Sequence, residues 1–340
     1  MKLTKRPRRL RLNQALRDSV AEVNINANDL IAPFFVVNGK NQKQVIESLP
    51  NVYRLSTDNL LKELEKALKL GINSAVLFGV VNADEKSPLA ESSHDHNGPV
   101  ATALRAAKAA FGSDINLITD VCLCGYTDHG HCGILKKTAQ GYLIDNDSSL
   151  EHLAQMALSH AEAGADIVSP SDMMDGRVGA IRESLDAQGF SNVGILSYAV
   201  KYASAFYGPF REAAGSSPNK SIDEEFSPPK DRKTYQMDYR NIRDAFREAK
   251  LDEEEGADML MVKPALSYLD VLARLRPQTS LPLVAYNVSG EYAMFKAAAK
   301  IGSLDEPLAV HEGLSAIKRA GADLIISYYA QEALEKGWLD

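Results

Sequence analysis

The chain has 340 residues, 45% hydrophobic and 24% charged, with 38 Lys and Arg against 45 Asp and Glu. This is the composition of a soluble globular protein, long enough for one large domain or two ordinary ones. The formal net charge of -7 argues against nucleic acid as the main partner, and no apolar run approaches the ~20 residues needed to span a bilayer.

The N-terminus is the one basic segment, with Lys2, Lys5, Arg6, Arg8, Arg9 and Arg11. It lacks the apolar core of a secretory signal. We read residues 1–27 as an arm, either solvated or packed on a neighbouring subunit; an organellar presequence would be longer and rich in serine. Short apolar runs then follow at 30–37, 74–81, 115–123, 166–169, 193–198, 259–262, 283–288 and 324–328. Several are almost continuously apolar, as strands buried on both faces of a parallel sheet are. Amphipathic stretches lie between them at 58–70, 149–163, 241–254, 267–274, 291–299 and 314–320.

A small repeat marks the junctions. Gly164-Ala165-Asp166, Gly256-Ala257-Asp258 and Gly321-Ala322-Asp323 each close a helical stretch and open a strand, with Gly71-Ile72 a looser version. Glycine there is the left-handed cap that turns a helix into the next strand. Eight such βα units predict a (β/α)8 barrel over residues 28–340. A doubly wound open sheet is the alternative, but no Gly-x-Gly-x-x-Gly fingerprint follows an early strand. A barrel places its active site at the C-terminal ends of the strands, where Asp120, Cys122, Ser169, Asp172, Lys201, Lys263, Ser289 and Tyr328 fall.

All three cysteines lie in one run after the third predicted strand: Cys122, Cys124 and Cys132. Three thiolates suit zinc, and three protein ligands rather than four suggest a catalytic site with one position left for water or substrate. His129 and His131 interleave the run and are open as a fourth ligand, as outer partners or as loop residues. An odd, clustered set of cysteines gives no disulfide framework and points to a reducing, cytoplasmic compartment.

Lys201 and Lys263 each end an apolar run. A lysine there either snorkels its ammonium to the surface or is buried and loses basicity, becoming a nucleophile toward carbonyls. If both reach one cavity, each cation lowers the pKa of the other. Arg211 and Arg232 flank a turn-rich segment at 215–229, read as a lid around 212–233 or as a plain surface excursion. Arginines on a closing loop suit an anionic substrate, because they pair bidentately with carboxylates.

Several long segments resemble one family. Arg6-Pro7-Arg8-Arg9-Leu10-Arg11, the cysteine run, Ser169–Arg177, Lys201–Arg211, Asp231–Met237, Met261-Val262-Lys263-Pro264 and Tyr286–Tyr292 together are similar to the porphobilinogen synthases, or 5-aminolevulinate dehydratases. The resemblance covers nearly the whole chain. It implies condensation of two 5-aminolevulinate molecules to porphobilinogen with loss of two waters, on a (β/α)8 barrel whose N-terminal arm helps assemble a homo-octamer. It further implies that Lys263 forms the Schiff base with the first substrate while Lys201 engages the other. Arg211 and Arg232 would clamp one carboxylate, and Ser289 and Tyr328 the second. Cys122, Cys124 and Cys132 would hold zinc, Glu248 would take part in an allosteric magnesium site, and Asp120 and Ser169 would lie near the substrates.

Two segments depart from the family pattern: 82–97, and the lid, which is longer and carries Asp223, Glu224 and Glu225. Two rival readings are an aldolase-type Schiff-base barrel with a structural zinc, which needs only one essential lysine, and a non-catalytic scaffold stabilised by zinc.

Overall fold

Eight parallel strands close on themselves. They are β1 (Leu30–Val37), β2 (Ser74–Val80), β3 (Asn116–Val121), β4 (Ile167–Pro170), β5 (Gly194–Lys201), β6 (Met259–Lys263), β7 (Leu283–Asn287) and β8 (Leu324–Ser327). Each pairs with its neighbour in chain order, and β1 pairs with β8 through Leu30↔Ile325 and Ile31↔Ile326 to seal the ring. The computed structural model describes residues 3–139, 141–218 and 228–339; the acidic positions 223–225 lie outside them.

The strands are apolar because both their faces are covered. All eight residues of β1 are buried, with side chains filling the barrel on one face and packing under helices on the other. The amphipathic stretches form the outer layer, for example Thr57–Lys69, which buries Leu60, Leu64 and Ala67. Two helices of that layer, Pro99–Phe111 and Arg177–Ala187, were not among the amphipathic stretches read from sequence. The first buries Val100 and Leu104 among alanines and the second buries Val178, Ile181 and Leu185, so few large apolar side chains mark either face.

The junction repeat does more than turn the chain. Gly164, Gly256 and Gly321 have φ of +104°, +102° and +116°, as left-handed caps require. The aspartate that follows each glycine accepts a backbone N–H from the neighbouring strand. Asp166 bonds Leu117, Asp258 bonds Ile195 and Asp323 bonds Leu283, each at 2.7 Å. The repeat therefore stitches β3 to β4, β5 to β6 and β7 to β8 at the N-terminal end of the barrel. Lys108 and Arg276 add ion pairs to Asp166 and Asp323.

Three additions decorate the barrel. Lys43–Val45 and Tyr53–Ser56 pair antiparallel, and the latter also runs alongside β1. Ile134–Thr138 and Gly141–Asp145 form a hairpin directly after the cysteine run. The N-terminal segment holds a turn of 3-10 helix at Pro7–Arg11 and a short helix at Gln14–Ser19, neither with a buried residue. Among the described residues no helix is long and apolar enough to cross a membrane.

Candidate active site

β5 and β6 end on lysines that are register partners, Lys201 and Lys263. Both are buried, 5% and 4% exposed, so neither snorkels. An irregularity in the pairing brings them together. Leu260 faces Ser197 and Val262 faces Val200, so β5 spends one more residue than β6 over that stretch, as at a β-bulge. Tyr198 and Lys201, three apart, both come close to Lys263 as a result; a regular strand with a period of two would separate them.

Lys263 sits in an aromatic box. Its Nζ lies 4.3 Å from the ring centre of Tyr286, 4.9 Å from those of Tyr198 and Phe210, and 5.3 Å from that of Tyr207. Burial pushes its pKa down to about 7, and the cation of Lys201 adds to the shift. At neutral pH much of Lys263 is therefore a free amine. Lys201 Nζ donates to the carbonyl of Ser171. Asp120, at the end of β3, is raised to about 6 by burial and then by the Cys124 thiolate, with Lys201, Ser171 and Lys263 acting the other way. Ser169 is spent differently: its hydroxyl donates to the carbonyl of Leu196 at 2.6 Å, tying β4 to β5.

The three cysteines follow β3 and are buried. Their sulfurs lie within 4.8 Å of one another, the one such group of possible metal ligands among the described residues. Cys122 Sγ lies 3.3 Å from Cys124 Sγ. Hydrogen bonds from Cys122 and Cys132, then the cations of Arg232 and Lys201, hold the Cys124 thiol well below its usual pKa. A thiolate beside two further thiols is the donor set that soft and borderline metals take.

Neither histidine of the run joins the set. His131 uses both ring nitrogens elsewhere, on the Tyr235 hydroxyl at 3.0 Å and the Pro229 carbonyl at 2.8 Å. His129 Nδ1 accepts the backbone N–H of His131.

Arg211 and Arg232 converge on the cysteine loop from either side of the lid. Arg232 is 4% exposed, and its Nη2 donates to the carbonyls of Gly130 at 2.8 Å and Ser216 at 2.6 Å. The Nε atoms of both arginines are buried without a partner. Buried donors of that kind are rare in finished structures and invite an acceptor. Gly130, with φ +71°, has to be glycine for a second reason: a Cβ there would meet the Ser217 carbonyl oxygen at 2.3 Å. Arg54 in turn steadies the helix Gly208–Ala213 that carries Arg211, donating to the carbonyls of Glu212 and Ala213 at 2.6 and 2.7 Å.

Ser289 and Tyr328 follow the ends of β7 and β8. The Ser289 hydroxyl accepts the N–H of Phe210 at 3.0 Å and leans on the Phe206 carbonyl at 3.3 Å. The Tyr328 hydroxyl shares a hydrogen bond with that of Tyr286 at 3.0 Å. Glu248 is apart from all of this. It lines a surface pocket of about 440 Å³ with Asp175, Arg247 and Asp252, and burial raises its pKa while Arg177 opposes the shift.

Sequence reading singled out neither the aromatic box nor Gln236. Gln236 is 2% exposed with both amide atoms unpartnered, and Tyr235 bonds the backbone N–H of Cys132. Both sit in the Asp231–Met237 segment, where the signal was a polar pair too close to the lid to be ordinary surface.

The model of the delta-aminolevulinic acid dehydratase family matches residues 4–336. The delta-aminolevulinic acid dehydratase of Halalkalibacterium halodurans is 50% identical over 99% of this chain and 97% of its own. That of Methanothermobacter thermautotrophicus is 50% identical over 97% of each. A crystal structure of the Toxoplasma gondii enzyme in complex with the reaction product porphobilinogen superposes with a TM-score of 0.92 at 47% identity, covering 98% of this chain and 92% of that one. With the closed barrel and the converging strand-end residues, these matches establish that the chain belongs to the delta-aminolevulinic acid dehydratase family, the hydro-lyases that form porphobilinogen.

Proposed function

We propose that Lys263 and Lys201 divide between them the two 5-aminolevulinate molecules that the family's reaction joins with loss of two waters. The observation that carries this reading is the pair itself: two buried lysines in register, one with its pKa brought down to about 7. The free amine of Lys263 attacks the keto carbon of one substrate. The C–O bond breaks, the oxygen leaves as water, and a Schiff base remains. The hydroxyls of Ser289 and Tyr328 hold the carboxylate of that substrate. Lys201 engages the second substrate, whose carboxylate is taken by Arg211 and Arg232. Their partnerless Nε donors supply the charge-assisted bonds it needs. Fixing two identical molecules in different orientations removes most of the entropic barrier.

The cysteines fit a zinc ion better than magnesium, which takes oxygen ligands. Cys122, Cys124 and Cys132 would hold it, and bound zinc would supply Lewis acidity and lower the pKa of a coordinated water or amine. Glu248 is the candidate for magnesium, which keeps several waters and so needs few protein ligands; Asp175 shares its pocket as a further oxygen donor, while Asp252 there is spent on Arg177.

Residues 1–27 act as an assembly arm toward a homo-octamer. In support, Leu10, Leu12 and Val20 are 53%, 71% and 51% exposed. Sizing of a chain that lacks these residues tests this, and an unchanged octamer removes the arm from assembly. The lid at 212–233 shields the imine from water, supported by the bonds of Pro229 to His131 and of Arg232 to Gly130 in the cysteine loop.

The deciding experiment is a porphobilinogen assay after chelation, with zinc and magnesium added back separately. Activity is expected to vanish on chelation with the barrel's circular dichroism intact, and to return with zinc. Melting of the fold on chelation would favour a metal-stabilised scaffold. Absence of any pyrrole from the untreated protein would sink the reading.

A further inference from the structure

Three buried polar side chains tie together the strand ends that carry Lys263, Ser289 and Tyr328. They are Glu291, Asn287 and Ser327, exposed by 1%, 4% and 0%. Glu291 Oε1 accepts the backbone N–H of Leu266 at 2.8 Å, in the loop just past Lys263. Its Oε2 accepts the N–H of Val288 at 2.9 Å, directly ahead of Ser289, and the Asn287 side-chain amide at 3.1 Å. Asn287 Oδ1 accepts the Ser327 hydroxyl at 2.9 Å, and the Ser327 oxygen accepts the N–H of Tyr329 at 3.1 Å. Asn287 and Ser327 are also register partners on β7 and β8.

The chain of bonds thus runs across β6, β7 and β8 at the level of the site. It touches the backbone within three residues of each of the groups that would grip one substrate. A buried carboxylate is costly unless its bonds are made, and a fully satisfied buried network is rigid. Glu291 also caps the start of the helix Ser289–Lys300 through the Val288 N–H, but its bonds to Leu266 and Asn287 go beyond what a cap requires.

We propose that Glu291, Asn287 and Ser327 form a spacer that sets the distance between Lys263 Nζ and the hydroxyls of Ser289 and Tyr328. That distance selects how many methylenes separate the carbonyl from the carboxylate in the keto acid bound there. The inference rests on the assignment of Lys263, Ser289 and Tyr328 to one substrate given above. The three are positioning residues, acting through the backbone rather than on reacting atoms.

The test uses the full chain, sodium borohydride and two keto acids, 4-oxopentanoate and 5-oxohexanoate, which differ by one methylene. Imine formation releases the carbonyl oxygen as water, and hydride from borohydride reduces the C=N bond to a secondary amine. The rate at which mass is added to the peptide containing Lys263 is measured for each acid. The unaltered protein is expected to favour the shorter acid by about 10- to 200-fold, the usual worth of one methylene. Glu291→Gln turns an amide NH2 toward an N–H donor and breaks at least one bond, so the preference is expected to fall about tenfold. Ser327→Ala removes one bond, leaves those of Glu291 in place, and is expected to lower it about threefold. It carries the test if Glu291→Gln does not fold. A preference unchanged in both variants, or in Ser327→Ala alone if only that one folds, overturns the inference even if the melting temperature drops. No label on Lys263 of the unaltered protein with either acid overturns the assignment of Lys263 itself, a separate failure.

Discussion

The two ends of the barrel differ in how completely they satisfy their polar groups. At the N-terminal end Asp166, Asp258 and Asp323 each accept a strand N–H at 2.7 Å, and two of them also pair with a cation. At the C-terminal end the network of Glu291, Asn287 and Ser327 is bonded, but Lys263 is packed among rings, Arg211 and Arg232 keep partnerless Nε atoms, and the Gln236 side-chain amide has no partner. The aspartates sit at strand starts, whereas Arg211, Arg232 and Gln236 lie on the helix Gly208–Ala213 and the loop after the lid. Satisfied groups hold the barrel together, whereas a buried donor without a partner is one that a bound acceptor would satisfy.

Substitutions at the two ends should accordingly separate activity from stability. The largest effect is expected for Lys263→Met, which keeps the volume and removes the amine. Porphobilinogen formation should fall by at least about 10³-fold while the thermal midpoint stays level or rises, since a buried amine is lost. A clear drop in that midpoint would mean the lysine is structural. Next comes Arg232→Ala: loss of a charge-assisted bond to a carboxylate is worth roughly 1.5–3 kcal/mol, read as a KM raised about 10- to 100-fold. A change confined to kcat would count against a carboxylate clamp.

Acidity gives a graded version of the same contrast. With Lys263 near 7, the rate of borohydride trapping should fall about tenfold for each pH unit below that value, as the amine becomes protonated. The linkage has a sign. The folded pKa lies below the ordinary 10.5, so between about 7 and 10.5 the unfolded chain binds the extra proton. This group's contribution to stability therefore rises with pH across that window, and its penalty is complete below about 7. Trapping that stays flat down to pH 5.5 would contradict a lowered lysine pKa. The smallest effect is expected at the other end: Asp258→Asn should cost about 1–3 kcal/mol in urea unfolding and leave kcat unchanged. A selective loss of kcat there would break the comparison.

How far the sequence could be read follows the same division. The barrel was legible because strands buried on both faces must be apolar and the Gly-Ala-Asp junctions repeat. β1 spans the run expected for it. The two lysines were legible as charges at the ends of apolar runs, and the cysteines as a cluster, although several roles rested on family resemblance. What stayed hidden depends on distant segments meeting. The box around Lys263 draws on β5, β7 and the loop after β5, and no local pattern links Tyr198, Phe210 and Tyr286. Spacing left ligand, outer-partner and loop roles open for the histidines, and only the chain's return past Pro229 and Tyr235 shows where the nitrogens of His131 go. The hairpin after the cysteines was missed because Lys136 and Lys137 interrupt its apolar alternation.

The extra residue in β5 sets how this site could be lost. Lys201 faces Lys263 because β5 takes three steps from Ser197 to Val200 where β6 takes two from Leu260 to Val262. Straightening that stretch with every residue kept would leave the two lysines, the cysteines and the arginines spelled out in the chain. Yet it would place Lys201 half a turn from Tyr198 about the strand and out of register with Lys263. The site depends on one irregular step in a strand as much as on the letters at its end.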